Sequence, residues 1–267
     1  MIRPWSLGLA LILATAAPAS PAERMTDEQV KKLIEDIDDG YETWKQDLEK
    51  RNLDDAVITS AERTVKVKDF LKDFEKAIDT LKGRFKPDYA ATPEALALLR
   101  KASDVELRNR RQGETATSSS AWAALSSKLE SLARAYDVGW PIQSMQVLPA
   151  RLNDRELSAK VQRMESASKA LRSETDKAAK ADKTIVKATR ESLKTSIDKM
   201  GLQAKDIRSR IEGDRPGAVE VGQLLAQTAT VRDTLKKLAL STANAPAWRE
   251  IDAGTEALAR AYEMKKP

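Results

Sequence analysis

The densest run of side chains able to do chemistry is acidic. Glu35, Asp36, Asp38, Asp39 and Glu42 fall within eight residues, with Gly40 and Tyr41 among them. Carboxylates this close could bind Ca²⁺ or serve an enzyme that works with acids alone. Their spacing does not fit the EF-hand loop, whose oxygens fall at alternate positions before a glycine. Within a helix the acids spread over more than one face, which reads as a solvated surface. Ser118, Ser119 and Ser120 have no base partner and read as a loop with a helix cap.

What is missing narrows the chemistry further. The chain has no His and no Cys. That excludes an imidazole base, thiol nucleophiles, the usual Zn and Fe–S ligation and CxxCH haem attachment. There is no glycine-rich phosphate loop. The reading is a protein that is not an enzyme and holds no cofactor and no metal.

Charge carries some direction. Residues 23–150 hold 21 basic and 24 acidic side chains, whereas residues 151–267 hold 24 and 17. The acidic extreme is residues 23–55, with 6 basic and 12 acidic side chains. Opposite charge on the two halves could pair them, pair two molecules head to tail, or equip the second half for a polyanion. Base-specific nucleic-acid recognition is not expected, because aromatics are not interleaved with the basic residues and no nucleic-acid motif is present.

The elements that must position these groups are set by an internal repeat. Residues 121–136 read AWAALSSKLESLARAY and residues 247–262 read AWREIDAGTEALARAY, identical at eight of sixteen positions with an offset of 126. At that offset Val67, Leu71, Phe74, Leu81 and Phe85 meet Leu193, Ile197, Met200, Ile207 and Ile211. Upstream the offset becomes 127, so that Val30, Ile34 and Ile37 meet Leu157, Val161 and Met164. Apolar meeting apolar while surfaces diverge predicts two copies of one fold. Trp122 and Tyr136, and their counterparts Trp248 and Tyr262, lie two heptads apart with Leu125, Leu129 and Leu132 between the first pair. They could line an aromatic groove, but an apolar stripe at helical spacing predicts structural anchors of each core.

Helical spacing runs throughout. Val30, Ile34, Ile37, Tyr41, Trp44 and Leu48 form a heptad seam, entered through a capping box of Thr26 and Gln29. Asn52–Asp55 predicts a stop and a new cap. A second seam then follows through Val57, Ala61, Thr64, Leu71, Phe74, Ile78, Leu81 and Phe85 to Pro87. Thr92-Pro93-Glu94 predicts a helix start capped by Thr92, with that helix ending near Arg110. Ser120 is the expected cap of the repeated Trp helix. In the second half Asn153 caps a helix that ends near Asp182, the next runs to Glu212, a third spans Val219–Leu240 and a fourth Trp248–Met264. No strand pattern stands out.

The expected fold is all-α: two tandem, internally duplicated four-helix units with long antiparallel helices and coiled-coil-like seams. Residues 1–22 read as a signal peptide, with Arg3, an apolar stretch Leu7–Ala17, and Ser20 and Ala22 at the cleavage positions. The units then span residues 23–149 and 150–267. The expected product is a bacterial periplasmic or secreted protein that does not span a membrane. It would bind or scaffold another macromolecule, either a protein or anionic envelope material (lipopolysaccharide, anionic lipid or nucleic acid) engaged by the basic second half, and self-association is open to it. An enzyme using carboxylates is the remaining alternative.

Overall fold

The computed structural model describes residues 23–59, 64–112, 117–143, 151–240 and 246–264. The expected signal peptide, Ala61, the loop residues 113–116 and the turn residues 244–245 lie outside them. The described chain is mostly helical. Its order is α1 (Asp27–Lys50), β1 (Val57–Thr59), β2 (Thr64–Lys66), α2 (Val67–Arg84), α3 (Thr92–Gln112), α4 (Ser120–Ala135), α5 (Asp154–Ala181), α6 (Lys187–Glu212), α7 (Ala218–Lys237) and α8 (Pro246–Ala261).

The chain builds two hydrophobic cores. Helices α1–α4 enclose one, from Val30 to Ile142, and α5–α8 enclose the other, from Leu157 to Tyr262. The neighbour pattern is the same in each. Consecutive helices pack together, and the fourth returns against the first, α4 on α1 and α8 on α5. The first core is aromatic: Trp44 meets Phe70, Phe74 and Trp122 with ring centroids 6.4, 6.3 and 4.7 Å apart. The second is mainly aliphatic around Trp248 and Tyr262, with Met164 and Met200 fully buried.

Caps set the helix entries. Thr26 Oγ1 accepts from the Gln29 N–H at 3.3 Å, and Gln29 Oε1 accepts from the Thr26 N–H at 2.9 Å. Asn153 and Glu156 repeat this box at 2.7 and 3.1 Å. Each box satisfies backbone donors that a helix start leaves unpaired. The α4 cap is Ser119, whose hydroxyl accepts from the Trp122 N–H at 3.2 Å, one residue before the expected Ser120. Thr92 is the first residue of α3 rather than its cap.

A third expectation is overturned. The seam predicted to run from Val57 is not helical there. Val57–Thr59 and Thr64–Lys66 pair as an antiparallel hairpin, and α2 starts only at Val67 behind Lys66, which gives no side-chain cap. Val57, Ile58, Thr59, Thr64 and Val65 are β-branched, which disfavours a helix and suits a half-buried ribbon. Ile58 points inward, 1% exposed, beside the exposed Val57. In the second bundle a five-residue turn, 182–186, takes the same place with Ile185 buried.

Candidate functional site

The acidic run on α1 does not converge. Glu35 and Asp39 are exposed. Asp38 pairs with Lys82 of α2 at 2.7 Å, and the Asp36 carbonyl accepts from Lys128 Nζ at 2.5 Å across Gly40. Among the described residues no group of three or more His, Cys, Asp or Glu is placed to hold a metal ion. Ser119 is spent on its cap, and the Ser118 carbonyl accepts from Arg51 at 3.3 Å.

The repeated aromatics are buried: Trp122 is 3% exposed, Tyr136 0%, Trp248 5% and Tyr262 4%. Each Trp has a charged neighbour sixteen residues upstream, and the two charges are opposite. Trp122 Nε1 donates to Glu106 at 2.9 Å, and Ser126 Oγ donates to the same oxygen at 2.9 Å. Burial pushes the Glu106 carboxyl up, but hydrogen bonds from Arg110, Trp122 and Ser126 outweigh it and hold the group below the usual carboxylate range. At the matching place Arg232 lies over the Trp248 ring, 5.6 Å from its centroid, and pairs with Asp252 at 2.5 Å. Outside the Trp122 group runs a groove of about 460 Å³ lined by Asn109, Ser127 and Trp140 among others.

The two bundles meet where α1 and α5 begin. The Asp154 carboxylate accepts from the Asp27 N–H at 2.7 Å, and the Asp27 carboxylate accepts from the Asp154 N–H at 2.8 Å. Two helix N-termini brought together put like partial charges face to face, and the exchanged carboxylates neutralise both. Arginines cross in the same sense. Arg24 pairs with Asp154 and donates to the Leu152 carbonyl at 2.7 Å. Arg151 pairs with Asp27 at 2.5 Å and donates to the Met25 carbonyl at 3.1 Å. Both side chains are buried, 7% and 2% exposed. Arg151 also lies over the Tyr136 ring at 5.9 Å, so this aromatic serves the junction as well as its core. Glu23 completes the contact by accepting from the Gly217 and Ala218 N–H groups at 3.1 and 3.0 Å, capping α7, which has no side-chain cap of its own.

The end of the second bundle away from this junction is formed by the last turn of α5, the start of α6 and the last turn of α7, which runs back beside α6. Lys177, Lys183, Lys187, Lys236 and Lys237 are exposed there and have no carboxylate partner among the described residues. Their neighbours Lys180 and Lys194 are paired, with Asp176 at 2.6 Å and Glu191 at 3.7 Å. Asp182 is tied to its own loop, where hydrogen bonds from the Thr184 hydroxyl and N–H hold it below the usual range. The corresponding end of the first bundle is compensated: Lys66 and Lys68 both reach Asp55, at 3.2 and 3.4 Å.

Sequence reading finds the aromatics and the charge asymmetry but misses the Glu106 and Arg232 partners and the arginine junction. The junction has a signal: Arg24-Met-Thr-Asp27 and Arg151-Leu-Asn-Asp154 match at the same offset of 127 as the helices that follow. Compared with known proteins, the chain matches no family model, no curated protein and no solved structure. Among the described residues no helix is long and apolar enough to cross a membrane.

Proposed function

We propose that the protein is an exported, non-catalytic scaffold made of two copies of one four-helix unit, residues 23–149 and 150–267, that holds a macromolecular partner. The observation that carries this reading is the reciprocal junction. Arg24 and Asp154 on one side and Arg151 and Asp27 on the other fix the mutual orientation of the two bundles, as a protein presenting two surfaces at a set spacing requires. Supporting the duplication are the shared helix order, the equivalent buried Trp and Tyr pairs and the matching capping boxes. A pull-down from native envelope extract tests the scaffold. The intact chain should retain a partner that Asp27→Asn with Asp154→Asn releases, and equal retention by both ends the reading. Export is tested by N-terminal sequencing, with Glu23 the expected first residue of protein recovered from the periplasm or medium.

A second reading is favoured by the five uncompensated lysines: the basic end of the second unit binds anionic envelope material electrostatically. Such binding weakens steeply as salt rises, because released counterions drive it. Retention on an immobilised polyanion such as heparin that survives high salt would count against it.

A further inference from the structure

We infer that the free end of the second bundle docks on an anionic lipid bilayer; this rests on the electrostatic reading above and names which anionic material is met. Lys183 and Lys187 flank Val186, which is 62% exposed and occupies the α6 N-cap position without making a side-chain cap. Lys177, Lys236 and Lys237 stand around them; the exposed acids nearby are Glu174, Asp233 and Glu191, the last paired with Lys194, while Asp182 is bonded to Thr184. A soluble polyanion meets only the ammonium groups and leaves the valine in water. A bilayer takes both: the valine enters the headgroup boundary, the lysine stems lie along it, and their charged ends reach back to phosphates.

The surroundings agree with a peripheral contact. The first turn of α6 carries no acid to repel a lipid phosphate. No described helix can span a bilayer, so attachment at this end is by charge and a shallow apolar insertion. At the matching end of the first bundle the exposed Val57 stands beside a lysine pair already held by Asp55, so charge and apolar exposure do not combine there.

Co-sedimentation of the intact chain with phosphatidylcholine vesicles, with and without phosphatidylglycerol, tests the inference beside heparin binding. The expected result is binding to the anionic vesicles only, lost as salt rises. Each lysine near an anionic surface is worth about a fivefold gain. Lys183→Gln with Lys187→Gln should therefore weaken vesicle binding by about twenty-fivefold. Val186→Ser should weaken vesicle binding and leave heparin binding unchanged, with circular dichroism confirming the same helix content. Heparin binding without vesicle binding overturns the bilayer inference and keeps the electrostatic reading; loss of both overturns both. Equal effects of Val186→Ser on vesicles and heparin also overturn it.

Discussion

Glycine separates close packing from mere helix propensity in this chain. A Cβ on Gly254 of α8 would lie 2.9 Å from Met164 Cβ of α5, a stem atom that cannot withdraw without moving its helix. In the first bundle the close approach is opened from the other helix, with Gly40 of α1 facing Lys128 of α4. Gly254→Ala should therefore destabilise, by about 1–3 kcal/mol for an overpacked contact, despite the better helix former. Gly83 has nothing within 4 Å of its added Cβ, and Gly83→Ala should instead stabilise by up to about 1 kcal/mol. Urea midpoints of the two variants moving in opposite directions is the check.

Glu106 adds a pH signature at the same scale. Its carboxyl is lowered in the folded chain, so its contribution is present above the ordinary carboxylate pKa and lost as pH falls through the folded value. Glu106→Gln should be less stable than the parent at neutral pH, with the gap closing in acid. A gap that stays constant across an unfolding series in pH would mean that the charge does not hold Trp122.

At the level of elements, the capping boxes make a plain expectation. Asn153→Ala removes the acceptor for the Glu156 N–H and should cost about 1 kcal/mol, whereas Asn153→Ser should cost less. Thermal melts of the pair measure it. These caps were also the most legible features of the sequence, because a cap is written in residues three apart. The seam Val30–Leu48 and its counterparts Leu157, Val161 and Met164 were equally legible, since burial follows their spacing. The hairpin was not, because Val57 and Thr64 also fit the heptad of the following helix, and period alone cannot choose between helix and ribbon over so short a run. Its β-branched density was the signal that decides. Glu106 and Arg232 were illegible for another reason: at equivalent positions they carry opposite charges, and a search for apolar identity passes over them.

For the whole molecule, the junction couples two cores that are otherwise separate. Removing both carboxylates, Asp27→Asn with Asp154→Asn, leaves Arg24 and Arg151 buried beside neutral partners. Stranding a buried charge typically costs about 3–5 kcal/mol, and here the loss falls on the contact between bundles. Calorimetry should show one transition in the parent and two in the variant. Spin labels at Lys50 and Lys180, near the far ends of α1 and α5, should give a narrow distance distribution that broadens in the variant. An unchanged single transition would show that the bundles are coupled elsewhere.

The junction also imposes an order in time. Arg24 is bound to a residue 130 positions later, and Glu23 to backbone 194 and 195 positions later. During synthesis the first four helices can close around their aromatic core before the residues that will receive Arg24 and Glu23 have been made. Glu23 and Arg24 therefore wait, and they are the last to settle, because contacts of such long range form after local ones. Pulse-labelling hydrogen exchange during refolding should protect Trp44 and Leu71 early, and the Asp27, Asp154 and Ala218 amides together at the end.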